Sequence, residues 1–110
     1  MICNKQLGIM HFARGEYDRA VDYLQAASVE DIRDPEIYYQ LAVIYAGKRE
    51  YSTALSYSNR AVALDPTYGG YRVNRGAILG AMGRIEEARQ QYELAVKLSP
   101  NSPVAHWNLS

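Results

Sequence analysis

Apolar and small residues recur along the chain at two spacings, one of three or four positions and one of 34 positions. At the short spacing, Tyr38, Leu41 and Tyr45 fall on one face of a helix. At the long spacing, small residues form columns: Gly8, Ala42 and Gly76; Ala20, Ala54 and Ala88; Ala27, Ala61 and Ala95. A period of this length is typical of a helical solenoid, in which each repeat buries its apolar face against its neighbours.

Turn and cap residues divide each unit into two helices. Asp34 is placed to cap a helix that starts at Pro35, where the missing N–H costs nothing. A turn is expected over Gly47, Lys48 and Arg49, and Pro66 follows the end of the second helix. The corresponding turn glycines in the other units are Gly15 and Gly83. Because only small residues let two helices approach closely, the glycine and alanine columns predict the crossing inside each helix pair.

The columns match a known repeat signature. The second unit supplies Tyr38, Leu41, Ala42, Tyr45, Ala54, Ser58 and Pro66, and the third supplies Arg72, Arg75, Gly76, Leu79, Ala88, Tyr92 and Pro100. With these residues the chain resembles tetratricopeptide repeat (TPR) proteins, whose signature is W-x2-L-G-x2-Y, then A-x3-F, then P. Ser58 departs from it by replacing phenylalanine.

The resemblance implies an all-α fold, a right-handed superhelical solenoid of antiparallel helix pairs. We expect a single TPR domain over 1–110, with repeats at 1–34, 35–68 and 69–102 and a partial fourth repeat at 103–110. Such a solenoid is usually a binding surface, so we predict a non-enzymatic protein–protein interaction scaffold.

Composition argues against several other classes of function. Twelve basic residues balance twelve acidic ones, so we expect neither nucleic acid nor membrane as a partner. No apolar segment approaches the roughly 20 residues of a membrane span, and the first fifteen residues lack the charged-then-apolar layout of a secretory signal. The prediction is a soluble protein, cytoplasmic by default. His11 and His106 lack ligands at metal-binding spacing, and no catalytic or cofactor motif is present, so we expect no metal, no cofactor and no enzyme activity.

The resemblance also implies which residues face the concave groove, since the first helix of each pair lines it. We predict a peptide-binding groove formed by Lys5, Gln6, Ile9, Phe12, Tyr39, Gln40, Val43, Asn74, Ala77, Trp107 and Asn108. Gln6, Gln40, Asn74 and Asn108 form one column of amides, which donate and accept hydrogen bonds as an extended peptide backbone does. Tyr39 and Trp107 are candidate aromatic anchors. The same amides are equally compatible with a solvated helix face.

The residues that bind chaperone peptides in some members of the family are mostly not matched in this sequence. Chaperone-binding members hold a C-terminal carboxylate at five positions, of which only Lys5 matches. The other four positions hold Ile9, Gln40, Gly70 and Asn74. Because one cation does not replace a site of several charge-assisted contacts, we expect that the chain is not a carboxylate-clamp chaperone binder.

The partial fourth repeat suggests an alternative function. A helix of eight residues is marginal alone, and Trp107 is a large apolar side chain. This alternative predicts a homo-oligomer that forms through the terminal helices. The residues predicted to make the contact are Val104, Trp107 and Leu109. In this alternative the chain is a structural or self-assembling repeat module, excised or engineered from a longer array.

Overall fold

The computed structural model describes residues 3–98, and within this range the chain forms six helices and no strand. Their bounds are α1 Asn4–Ala13, α2 Tyr17–Glu30, α3 Pro35–Gly47, α4 Tyr51–Leu64, α5 Gly69–Ala81 and α6 Ile85–Leu98. Consecutive helices pack as the pairs α1–α2, α3–α4 and α5–α6. The predicted all-α TPR solenoid is confirmed. The repeat boundaries stay a prediction, and the partial fourth repeat lies outside the described residues.

Local sequence explains where these helices begin and end. The carboxylate of Asp34 accepts a hydrogen bond from the Glu36 N–H at 3.0 Å, and Pro35 occupies the first helical position of α3. Helix α4 ends at Leu64, immediately before Asp65 and Pro66. The capping and stop signals predicted from the sequence are therefore confirmed.

The three turns within pairs each contain one left-handed residue. Gly15 has a φ of +78° and Gly83 a φ of +82°, a conformation that glycine adopts without strain. In the middle pair Arg49 takes this position, with a φ of +64°. Of the three residues predicted to form this turn, Lys48 and Arg49 lie in it, and Gly47 is the last residue of α3. The middle turn therefore places Arg49, a residue with a Cβ, in a left-handed conformation that is strained for it.

Small residues allow the helices of each pair to cross closely, as predicted. Gly8 is buried against Leu24, and Gly76 lies against the ring of Tyr92. In the middle pair Ala42 and Ala54 are both fully buried in one cluster. Larger side chains then fill the space between pairs.

The main core joins the first pair to the second. Leu24 on α2 packs with Ile37 and Leu41 on α3, and none is more than 2% exposed. The first helices of successive pairs also touch, α1 with α3 and α3 with α5. This contact lays α1, α3 and α5 side by side along one face, which is the face expected to carry the groove.

Candidate functional site

All the predicted groove residues that lie within residues 3–98 are at least partly accessible to solvent. Gln6 and Ala77 are exposed, whereas the others are partly exposed: Lys5, Ile9, Phe12, Tyr39, Gln40, Val43 and Asn74. These side chains are carried by α1, α3 and α5. Trp107 and Asn108 lie outside the described residues, as do the self-association residues Val104 and Leu109, so their roles stay predictions.

Two of the predicted groove residues line an apolar cavity. Phe12 on α1 and Val43 on α3 are brought together at a cavity of about 220 Å³. Its other lining residues are Tyr17, Ile44, Gly47 and Lys48. Phe12 also packs edge-on against Tyr17, with ring centroids 5.8 Å apart. The arrangement suits a small apolar side chain.

Two others line an aromatic and acidic cavity between α3 and α5, which we call the tyrosine cavity. It has a volume of about 320 Å³ and is lined by Glu36, Tyr39, Gln40, Asp65, Tyr68 and Tyr71. The Tyr39 and Tyr71 rings are 5.4 Å apart and inclined by 46°. The Tyr68 and Tyr71 rings are 4.6 Å apart and inclined by 71°. The three rings therefore present differently oriented walls.

Lys5 lies beside this cavity and is fixed by carboxylates of the next repeat. Its Nζ is 2.8 Å from Asp34 Oδ2 and 3.8 Å from Glu36 Oε1. The hydrogen bond to Asp34 raises the pKa of Lys5, so the ammonium stays charged at neutral pH. Because Glu36 also lines the tyrosine cavity, the groove places a cation and an acidic cavity next to each other.

The hydroxyls of Tyr39 and Tyr71 stay neutral over the physiological range. Burial, followed by the nearby carboxylates of Glu36 and Asp65, raises the pKa of Tyr71 to about 12. Burial and then Tyr68 raise the pKa of Tyr39. The negative charge at this site therefore belongs to the carboxylates, while Tyr39 and Tyr71 contribute their ring faces and neutral hydroxyls.

The amides of the groove differ in their surroundings. Gln6 is exposed, whereas Gln40 and Asn74 are partly buried. The Oδ1 atom of Asn74 is buried and has no hydrogen-bond partner within the described part of the chain. Gln40 lines the tyrosine cavity, so a ligand that contacts its amide would also lie next to the tyrosine rings.

The sequence did not single out Tyr68, Tyr71 or Asp65. Tyr68 directly precedes Gly69 and Gly70, and a Cβ added at Gly70 would lie 2.7 Å from Cε2 of the Tyr68 ring. Gly70, one of the four positions that do not match the chaperone-binding pattern, therefore provides the space that this ring occupies. An aromatic residue directly before two glycines is the sequence signal that could have located the cavity.

Two further observations concern the described residues alone. Residues 3–98 contain no group of three or more His, Cys, Asp or Glu side chains arranged to hold a metal ion. None of the described helices combines the length and the apolar character that crossing a membrane requires.

Stacked helix pairs with an accessible face formed by their first helices define a helical-repeat interaction module. This chain belongs to the tetratricopeptide repeat family. The family profile described as "Tetratricopeptide repeat" matches residues 6–69, and the profile "TPR repeat" matches residues 76–109. As a TPR domain, the chain is a protein-interaction scaffold in its general class.

Several curated proteins are similar over most of this chain. Human RNA polymerase II-associated protein 3 is 33% identical over 98 residues, which are 89% of this chain and 15% of the relative. Mouse superkiller complex protein 3 is 36% identical over 83% of this chain and 6% of its own length. The heat shock protein sti1 homolog of Schizosaccharomyces pombe is 29% identical over 89% of this chain and 17% of its own length. The chain thus spans less than a fifth of these relatives.

Solved structures resemble it over nearly its full length. The first TPR of Spaghetti (RPAP3), bound to the HSP90 peptide SRMEEVD, has a TM-score of 0.92 and 32% identity, covering 96% of this chain and 84% of that one. The second TPR domain of human RPAP3, in complex with the HSP70 peptide SGPTIEEVD, has a TM-score of 0.90 and 25% identity, covering 96% and 88%.

These structures overturn one expectation from the sequence. The prediction that the chain is not a carboxylate-clamp chaperone binder is wrong, because domains this similar are bound to chaperone peptides that end in EEVD. Lys5 is the residue that matches the chaperone-binding pattern, and the side chains of Gln40 and Asn74 also carry N–H donors.

Proposed function

We propose that this chain is a non-enzymatic scaffold that binds an extended peptide in the groove of α1, α3 and α5. The peptide is of the acidic C-terminal class found in the HSP90 and HSP70 complexes of its structural relatives. Its terminal carboxylate lies on Lys5. The observation that carries this proposal is the accessible, charged Lys5 ammonium on the groove face of a fold so similar to those complexes.

Lys5 is able to hold Asp34 and a peptide carboxylate together. An ammonium group has three donors, and the described contacts use one at 2.8 Å and a longer one at 3.8 Å. Asp34 also caps α3 by accepting a hydrogen bond from the Glu36 N–H. This bond holds the Asp34 carboxylate in place, and the carboxylate in turn positions the Lys5 ammonium. A hydrogen bond to a charged group contributes about 1.5–3 kcal/mol, which makes Lys5 the strongest single contact.

Other features of the groove suit the remainder of such a peptide. The amides of Gln40 and Asn74 lie on successive first helices. The Gln40 amide suits both the N–H and the C=O of an extended backbone, whereas Asn74, whose Oδ1 atom is buried, offers its N–H donors to a peptide C=O. The apolar cavity at Phe12 and Val43 fits the side chain of methionine or valine, both of which occur in SRMEEVD. These contacts add affinity and direction to the carboxylate contact.

Calorimetric titration with SRMEEVD tests the proposal. We expect the free acid to bind and its C-terminal amide to bind at least about tenfold more weakly, since amidation removes a charged hydrogen bond. Lys5→Met should weaken the free acid by a similar factor and leave the amide unchanged. Lys97→Met, which removes an exposed lysine from α6, is the matched control. Equal binding of acid and amide would refute the carboxylate contact.

A further inference from the structure

The tyrosine cavity has the composition of a site for a cation. Tyr39, Tyr68 and Tyr71 supply ring faces, and a cation close to such a face is attracted by the electrons of the ring. Tyr68 is 55% exposed, although its ring packs against the Tyr71 ring in a T-shaped arrangement. The Tyr68 ring lies against Gly70 and is about half exposed, so part of its surface is accessible to a ligand.

The charges around the cavity have the matching sign. Asp65 lines it, and its carboxylate accepts a hydrogen bond from the Thr67 hydroxyl at 2.8 Å. Within residues 3–98, Asp65 makes no ion pair. Glu36 is only 3.8 Å from Lys5, but Lys5 lies closer to Asp34. Two carboxylates therefore face a cavity that has no basic residue among its lining side chains.

We propose that the tyrosine cavity binds the guanidinium of an arginine near the C-terminus of the bound peptide. This inference rests on the proposed function, because it places the peptide carboxylate on Lys5. Lys5 and the cavity share Glu36 as a neighbour, and an extended chain advances about 3.3 Å per residue. The arginine is therefore one of the few residues before the terminal one. It would select among peptides that all share a terminal carboxylate.

A peptide scan tests this specificity. In SRMEEVD, arginine is placed in turn at each of the three positions before the terminal aspartate. Each peptide is compared with one that has citrulline there, which keeps the shape and removes the charge. At one position at least, we expect arginine to bind about fivefold more tightly than citrulline, a typical gain for a cation over aromatic rings. Equal binding at all three positions, with SRMEEVD itself bound, would overturn the proposal and leave the proposed function intact.

Variants of the chain assign any such preference to the cavity. Tyr68→Leu and Asp65→Asn should bring the arginine-to-citrulline ratio close to one, whereas Tyr68→Phe should keep it because the ring remains. Asp31→Asn is the matched control, since Asp31 directly follows α2 with nearly the same backbone angles as Asp65 directly after α4. A ratio that survives both Tyr68→Leu and Asp65→Asn would place the arginine elsewhere and overturn the proposal.

A separate probe covers the case in which SRMEEVD does not bind, so that the proposed function fails. N-acetyl-arginine methylamide is titrated against the chain and compared with its citrulline analogue by NMR. Ring signals of Tyr39, Tyr68 and Tyr71 that shift with the arginine compound alone would support the cavity independently of the carboxylate contact. Equal shifts with both compounds, or no shifts, would overturn the cation site.

Discussion

Gly8 and Leu24 are in contact so close that no side chain fits between them. A Cβ built on Gly8 would lie 2.6 Å from Cγ and 2.8 Å from Cδ2 of Leu24. Leu24 is fully buried, and the Ala20 carbonyl oxygen is 3.3 Å from the same point. Because both neighbours are held by the core, the glycine sets the distance between α1 and α2.

Substitution of this glycine should lower stability. Gly8→Ala introduces overpacking that costs about 1–3 kcal/mol, offset by the better helix propensity of alanine, about 1 kcal/mol. We expect the free energy of unfolding in urea to fall by about 1 kcal/mol. Gly80→Ala is the control, since its Cβ would meet only Ala88 Cβ at 3.9 Å. That change should raise stability, and a Gly8→Ala variant as stable as the parent would contradict the close crossing.

The left-handed backbone at Arg49 predicts a stabilising substitution. At a φ of +64° a side chain costs about 1–2 kcal/mol, which glycine avoids at the expense of its larger unfolded-state entropy. Arg49→Gly should therefore raise the free energy of unfolding by about 0.5–1 kcal/mol, measured by thermal denaturation. Arg14→Gly, at a φ of −87°, relieves no strain and should lower stability. A loss of stability in Arg49→Gly would show that other contacts of the arginine dominate.

Ser58 offers a second stabilising change. It is fully buried, and its hydroxyl has no hydrogen-bond partner in the range 3–98. A buried, unsatisfied polar group costs about 1–3 kcal/mol, so Ser58→Ala should raise the free energy of unfolding by about 1 kcal/mol. Ser56→Ala, on the exposed side of the same helix, should change it little. A clear loss of stability in Ser58→Ala would mean that the hydroxyl is satisfied after all.

The raised pKa of Tyr71 predicts a loss of stability in alkali. Its hydroxyl titrates at about 12 in the folded chain against 10.0 for the free group, so the unfolded chain releases this proton first. The contribution is fully present below pH 10 and is lost as the pH rises toward 12. Tyr71→Phe should flatten this part of the stability profile measured by denaturation, whereas Tyr17→Phe, on the exposed surface, should not. An unchanged slope in Tyr71→Phe would contradict the assignment.

The fold was predictable because its signals are local and repeated. Helix periodicity, the Asp34 cap and the small-residue columns each depend on neighbouring positions, and three units repeat them. The tyrosine cavity depends instead on side chains from α3, α5 and the segment between α4 and α5, which meet only after the pairs stack. Gly70 shows the difference. In the sequence Gly70 is only a mismatch to the chaperone-binding pattern, whereas in the structure it leaves room for the Tyr68 ring.

The amides of Gln40 and Asn74 are predicted to contribute to peptide affinity, since they are placed to contact the backbone of an extended peptide in the groove. If each amide forms one hydrogen bond with the peptide, the Gln40→Ala and Asn74→Ala double variant should lose about 1–3 kcal/mol of binding free energy for SRMEEVD. Calorimetry measures this loss directly. Gln90→Ala plus Gln25→Ala removes two exposed amides from α6 and α2 and is the matched control. Unchanged affinity in the groove variant would show that these amides contact only water, since their loss would then leave no peptide group unpaired.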